Sequence, residues 1–184
     1  SNDGDILVSG ATGGVGSLAV SILSRLGYRV TAVSGRPENA PFLHSIGAAG
    51  VVSIEEASDD GGRPLLKGRW AGSVDTVGGK ILATTLKSTN LHGAVTCCGN
   101  VASPELPINV FPFILRGVVL YGIDSQNCPM ATRRSVWEKL AGEWKIDRAE
   151  ELTTEIGLQE LDAALQKMQE RKHRGRTVVR LFDE

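Results

Sequence analysis

Apolar and polar positions along this chain follow two periods, and the change from one to the other marks its opening unit. Ile6-Leu7-Val8 is a short apolar run that stops at Ser9-Gly10, which reads as a buried strand. From Val15 onward apolar residues recur at 18, 19, 22, 23 and 26, the spacing of a helix that lays one face on a sheet. Between the two stands Gly10-Ala11-Thr12-Gly13-Gly14-Val15-Gly16. Strand, glycine turn and helix in that order open a dinucleotide-binding unit.

The same patterns continue. Strands are expected at Tyr28 to Val33, Val51 to Ile54, Ser73 to Val77, Ala94 to Gly99 and Val118 to Ile123. Helices are expected over Pro37 to Ile46 with Gly47 as the stop, over Ile81 to Ser88, and as a short turn over Phe111 to Leu115. A further helix, capped by Thr132, has apolar positions 136, 137, 140, 141 and 144, which puts Trp137 and Trp144 in the core. Glu55 to Arg69 is polar and reads as a surface connection with room for one short helix. The run at Val118 to Ile123 does not alternate, so both its faces should be covered. If it is a sheet edge, a second copy pairing strand to strand would cover it and make a homodimer.

Beyond Glu150 come a strand to Ile156, a helix with apolar positions 161, 164, 165 and 168, and a last strand from Arg176 to Leu181. The expected fold is α/β, a doubly wound parallel six-stranded Rossmann sheet with helices on both faces and the ligand across the carboxyl ends of the strands. Residues 1–149 form the nucleotide domain, and 150–184 form a strand-helix-strand tail. Ser1-Asn2 has the look of an expression scar ahead of Asp3-Gly4-Asp5, as in a domain cut from a longer protein.

Composition narrows the function classes. A chain of 184 residues buries roughly 70% of its unfolded surface, so its core needs no staples. Net charge is −1 with both signs interspersed, which points away from nucleic acid and anionic membranes. No apolar run approaches the roughly 20 residues that span a bilayer, and no signal-peptide pattern is visible. Three cysteines, two of them the adjacent Cys97 and Cys98, give neither a disulfide framework nor metal-ligand spacing, and the chain reads as cytoplasmic.

The candidate chemistry sits in the loops after the strands. One glycine permits the sharp turn, Thr12, Gly13, Gly14 and Val15 bring backbone amides to a pyrophosphate, and Gly16 lets the helix pack tightly on the strand. The second strand ends at Ser34-Gly35-Arg36, where NAD-binding units carry an acid for the ribose hydroxyls. Here no acid appears before Glu38, and Arg36 is placed to pair with a 2′-phosphate while Ser34 and the Gly35 backbone donate to it. The cofactor is therefore expected to be NADPH/NADP rather than NAD. The alternative leaves Arg36 a solvated charge before Pro37. Val77, Gly78, Cys98, Gly99, Asn100, Ile123, Asp124 and Ser125 complete the expected rim. Cys98 is expected as a small core residue, with cofactor contact as the alternative, and Asp124 either touches the nicotinamide or caps its loop. The three histidines, His44, His92 and His173, are scattered and expected in ordinary surface or turn positions. No Tyr-x-x-x-Lys pair follows the strands and no group is a convincing proton donor, so catalytic residues stay unassigned.

Several stretches resemble the cofactor domain of a zinc-independent medium-chain dehydrogenase/reductase of the quinone oxidoreductase group, within it the NADPH-dependent acrylyl-CoA reductase branch. They are the glycine turn, Ser34-Gly35-Arg36-Pro37, Leu43 to Ala48, Trp70 to Gly79, Pro112 to Val118, Gly122-Ile123-Asp124-Ser125 and Gly175-Arg176-Thr177-Val178-Val179. The resemblance implies reduction of a carbon–carbon double bond conjugated to a carbonyl, on acrylyl-CoA or a similar enoyl substrate. It also implies a substrate domain ahead of this chain with which the tail packs, so the fragment alone would bind cofactor and catalyse little. A quinone as acceptor is the alternative, as is a non-catalytic NADPH-sensing module; turnover by the full-length protein separates the last from the first two.

Overall fold

The computed structural model describes residues 4–147 and 149–182. Ser1 and Asn2, the proposed scar, lie outside the described residues. Six parallel strands form one sheet: β1 (Asp5–Val8), β2 (Val30–Val33), β3 (Gly50–Val52), β4 (Trp70–Asp75), β5 (Thr89–Cys97) and β6 (Val119–Gly122). Their spatial order is β3-β2-β1-β4-β5-β6, so the chain starts in the middle, runs out to one edge, and returns across β1 to build the other half. The direction reverses between β1 and β4, where such sheets hold their ligands.

Alternation along β1 explains the layers. Val8 points to the face carrying α1 (Gly14–Arg25) and α2 (Ala40–Ser45), packing with Val20, Val30, Ala32 and Leu43, all fully buried. Leu7 points the other way, to Trp70, Ala57 and Ile81 of α3 (Gly79–Ser88). Leu82 and Leu86 of α3 continue that face with Val95, Val118 and Phe113 of α4 (Phe111–Arg116). Helices thus cover both faces, as the alternation of strand and helix predicts. Each fully buried Leu or Val contributes about 1.5–3 kcal/mol of transfer free energy.

Several elements differ from expectation. The helix expected over 37–46 is a 3₁₀ turn, Pro37–Asn39, followed by the short α2, because Pro41 brings no N–H to the ladder. No helix forms between 55 and 69. β4 ends at Asp75, two residues early, because Thr76 turns its N–H and Oγ1 to Ser9 instead of to a neighbouring strand. α5 (Met130–Ala141) starts after Pro129, not at a Thr132 cap. Its residues Val136 and Leu140, with Trp144 beyond, line an apolar groove against Ala19, Ile22 and Leu23 of α1. Trp137 is a helical step round from Val136 and stays 65% exposed, which corrects its placement in the core; Trp144 is half-buried, with Lys139 Nζ 4.9 Å from its ring centre.

Nor is β6 covered on both faces. Among the described residues it is the outermost strand, paired only to β5, and Val119, Tyr121 and the following Ile123 are 42–53% exposed. The tail folds as β7 (Thr153–Gly157), α6 (Leu161–Gln169) and β8 (Arg176–Arg180), whose strands pair with each other in parallel and leave the main sheet alone. Leu152, 3% exposed, anchors the tail in the α1/α2 core. No helix among the described residues is long and apolar enough to cross a membrane.

Candidate nucleotide-binding site

The glycine turn is held by its own backbone. Gly10 has φ 57°, a left-handed conformation that favours glycine, and the Gly13 N–H donates to its carbonyl at 3.0 Å. At the third glycine space decides: a Cβ on Gly16 would lie 2.3 Å from Gly10 O, so α1 crosses β1 too closely for any side chain there. The ladder of α1 begins with Ser17 N–H on Gly13 O. The amides of Gly14, Val15 and Gly16 therefore have no backbone acceptor among the described residues, at the positive end of the helix.

A buried polar cluster ties this turn to the next one. Asp75, at the end of β4, is fully buried; its carboxylate accepts from Ser9 Oγ at 2.7 Å and from Gly78 N–H at 2.8 Å. Ser9 Oγ accepts from Thr76 N–H at 3.0 Å, and Thr76 Oγ1 donates to Ser9 O at 3.0 Å. Burial pushes the Asp75 carboxyl above its ordinary value, against the pull of Ser9 and Gly78. Burial likewise raises the Cys97 thiol, whose Sγ lies 3.8 Å from the same carboxylate.

Above these turns lies a cavity of about 570 Å³ at the carboxyl ends of the strands. Thr12, Gly13, Ser34, Gly35, Arg36 and Val77 line it, so the structure brings together the first three expected loops. Ser34 Oγ bridges the Arg36 backbone, accepting from its N–H at 3.2 Å and donating to its carbonyl at 3.0 Å. That bridge shapes the loop, and the Arg36 guanidinium pairs with no carboxylate among the described residues. Gly14 and Val15 flank the cavity on the first turn of α1.

The remaining expected residues stand outside its lining. Gly78 crosses closely over Ser103 and Asn100, and Gly99 over Thr76, as backbone packing positions. Cys98 is exposed rather than a core residue, because the chain has left β5 one residue earlier; its Sγ is 3.5 Å from Asp75 O. Ile123 N–H donates to Cys97 O at 2.9 Å. Asp124 caps its own loop, accepting from Asn127 N–H at 3.0 Å and Nδ2 at 2.7 Å, and the Asn127 side chain holds its carboxyl below the ordinary value. Ser125 accepts from Arg133 Nη2 through its carbonyl at 2.6 Å.

Sequence reasoning missed one wall. Asn39 and Ile54 also line the cavity, and so do Met168, Glu170, Arg171 and His173 of the tail. The tail reaches the site because Gly175 N–H donates to Thr12 O at 2.8 Å. Gly175, with φ 62° and no room for a Cβ against Leu152 O, was the available signal. His173, expected in an ordinary turn, does sit in one, with Nε2 2.7 Å from Gly175 O, and it also lines the cavity. No three His, Cys, Asp or Glu side chains among the described residues stand together as a metal site would need.

Residues 14–142 match the family model described as zinc-binding dehydrogenase. The acrylyl-CoA reductase AcuI of Ruegeria pomeroyi is 42% identical over 176 residues, 96% of this chain and 53% of that protein. The Salmonella enterica oxidoreductase yhdH, solved in complex with NADP, superposes with a TM-score of 0.92 at 41% identity, over 98% of this chain and 55% of the other. The Bacillus subtilis protein yhfP, solved with NAD bound, gives 0.93 at 43%, over 98% and 56%. The chain thus spans about half the length of the relatives it matches, and the shared half is the sheet, the glycine turn and the tail described above. By the extent of that match, the chain belongs to the zinc-binding dehydrogenase family.

Proposed function

We propose that this chain is the NADPH-binding domain of an oxidoreductase that reduces a carbon–carbon double bond conjugated to a carbonyl, with acrylyl-CoA or a similar enoyl thioester as substrate. One observation carries the cofactor choice: Arg36 lies in the cavity wall beside the glycine turn, without a carboxylate partner and without an acid at the end of β2. A guanidinium there fits a 2′-phosphate, whereas an acid would fit free ribose hydroxyls. The bound cofactor supplies the hydride. The chain's own work is placement: amides of Gly14 to Gly16 on the pyrophosphate, Ser34, Gly35 and Arg36 on the adenosine phosphate, and Val77, Gly78, Cys98, Gly99 and Asn100 along the path toward the nicotinamide. Ile123, Asp124 and Ser125 stand at the far end of that path.

The rest of the protein completes the site. Residues 150–184 form a tail whose Leu158, Val178, Leu181 and Phe182 are 50–83% exposed, a surface that suits a substrate domain packed against it. The exposed β6 edge suits pairing with a second copy. No metal ligand is required of this chain, and we place the parent enzyme among the zinc-independent members; its three free thiols suit the cytoplasm.

Calorimetric titration of the chain with NADPH and NADH, before and after Arg36→Ala, tests the cofactor choice. NADPH should bind at least tenfold more tightly than NADH, as one or two charge-assisted hydrogen bonds imply, and the difference should vanish in the variant. Equal affinities in the unsubstituted chain would refute the 2′-phosphate reading. Turnover of acrylyl-CoA and of a quinone by the full-length protein decides the acceptor, and binding without turnover of either would mark a sensor.

A further inference from the structure

Two soft donors stand side by side at the end of β5. Cys97 is the last residue of the strand and Cys98 the first beyond it, and both are free thiols. Along a regular strand neighbouring side chains point to opposite faces, which would part the two sulfurs. Here the chain leaves the strand between them. Cys97 Sγ lies 3.8 Å from Asp75 Oδ2 and 3.7 Å from Gly99 O, while Cys98 Sγ lies 3.5 Å from Asp75 O. Both thiols thus gather round one residue, Cys97 half-buried and Cys98 exposed.

The backbone between them decides what such a pair can hold. The Cys97 carbonyl accepts Ile123 N–H at 2.9 Å and the Cys98 N–H donates to Asp75 O at 3.0 Å, so the peptide joining the two is fixed at both its polar groups. Neighbouring Cα atoms stand about 3.8 Å apart across a trans peptide, short of the roughly 4.4–6.8 Å that a disulfide ordinarily spans. A direct S–S bond would have to twist this peptide against both hydrogen bonds. A bridging atom removes that demand, because two bonds through it span more than one S–S bond. Two thiols, with no third side chain among the described residues to complete a metal site, are too few for structural zinc. They are enough for a soft trivalent centre that keeps its remaining bond to carbon.

We propose that Cys97 and Cys98 form a binding site for trivalent organic arsenic, held as a dithiolate chelate. An arsenoxide exchanges its bond to oxygen for two As–S bonds; both S–H bonds break, and the two protons leave with the oxygen as one water. Arsenic stays trivalent, and nothing is oxidised or reduced. The exposed Cys98 makes the first bond and the half-buried Cys97 closes the ring. Closure is intramolecular, which favours the chelate over attachment to single thiols by a factor on the order of 10²–10⁴. Cys128, whose Sγ lies 3.8 Å from Pro129 O, has no neighbouring cysteine in the sequence and gains nothing of the kind. The inference does not depend on what fills the cavity.

The experiment treats the folded chain with phenylarsine oxide in excess 2-mercaptoethanol, then reads intact mass and, after the monothiol is removed, the number of free thiols. One adduct per chain is expected, at the mass of the reagent less one water, with two of the three thiols consumed. Dimercaptopropanol, a competing dithiol, should strip it. Cys97→Ser and Cys98→Ser should each lose the adduct and Cys128→Ser should keep it, with urea unfolding curves verifying that the variants are folded. The count of free thiols in the unsubstituted chain carries the test even if a serine variant does not fold. Absence of an adduct on the folded chain, an adduct that forms only in urea, one that consumes Cys128, or one that survives in folded Cys97→Ser or Cys98→Ser would overturn the inference.

Discussion

Ser9 at the end of β1 donates its hydroxyl to the buried carboxylate of Asp75 at the end of β4, 2.7 Å away, across the place where the strand order reverses. Because the same carboxylate also accepts Gly78 N–H and the same hydroxyl accepts Thr76 N–H, two turns that border the cavity are built as one piece. The glycine turn cannot shift relative to the Val77-Gly78 turn without breaking bonds inside the core. Preorganisation of this kind holds amide donors in place before the ligand arrives.

Asp75→Ala leaves the Ser9 hydroxyl and the Gly78 amide without partners, and should cost about 1–3 kcal/mol in urea unfolding for each donor left buried and unpaired. Asp75→Asn tests the electrostatics. Burial raises the Asp75 carboxyl above its ordinary 3.8. A carboxyl raised on folding stabilises the native state below its unfolded value, and that contribution disappears as pH rises through the folded value. The stability advantage of the unsubstituted chain over Asp75→Asn should therefore be larger at pH 4 than at pH 7. An advantage that grows toward pH 7 would contradict the assignment.

In the proposed site the glycine turn has a packing position, Gly16, and a ligand position, Gly13. At Gly16 a Cβ would come 2.3 Å from backbone, so Gly16→Ala must push α1 off β1; a cost of about 1–3 kcal/mol is expected, with weaker nucleotide binding because the first-turn amides move too. At Gly13 a Cβ would meet only Gly10 O, at 3.3 Å. Gly13→Ala should therefore melt close to the unsubstituted chain while losing nucleotide affinity to the methyl group standing in the phosphate's path. Similar melting losses for both variants would show that the two glycines do one job.

How much of this could be read from residues alone follows from the range of the forces involved. The central strands and α1 were legible because local period and global burial agree there: Leu7 and Val8 face opposite layers, and the sequence spacing says so. That Arg36, Ser34 and the glycine turn would border one cavity was legible because each lies in a contiguous motif at a strand end. The tail wall was not, since Arg171 and His173 reach the cavity only through Gly175 N–H on Thr12 O, a contact between residues 163 positions apart that leaves no periodic trace. Trp137 and the Val119 to Ile123 run misled for the opposite reason. Their apolar character matches a core, but α5 and β6 sit at the margin of the sheet, where that character is left exposed.

That exposed margin is the basis of a test of assembly. Val119, Tyr121 and Ile123 present apolar side chains on an edge strand whose outer backbone groups have no partner strand among the described residues. If a second copy pairs there, the chain should sediment as a dimer, and Tyr121→Lys should shift it toward monomer, since a buried unpaired ammonium opposes association. Tyr121 lies outside the lining of the cavity, so NADPH affinity should stay unchanged in the variant. Sedimentation of the unsubstituted chain as a monomer at all concentrations would rule the edge out as an interface.

Gly175 is where the tail and the nucleotide site are joined, and one substitution can part them. Its φ of 62° disfavours any residue with a side chain, and a Cβ there would lie 2.1 Å from Leu152 O, within the segment that anchors the tail in the core. Gly175→Ala must therefore displace either the Leu152 backbone or the Thr12 contact, and the tail wall goes with it. The main sheet, whose strands make no ladder with β7 or β8, should stay folded. Hydrogen exchange should accordingly show amides of residues 152–180 exposed in Gly175→Ala while those of β1, β4 and β5 keep their protection. Nucleotide affinity should fall for NADPH and NADH together, because Met168, Glu170, Arg171 and His173 leave the cavity as a unit. Retained affinity with a freely exchanging tail would show that the glycine turn and Arg36 suffice for binding and that the tail residues of the cavity are incidental.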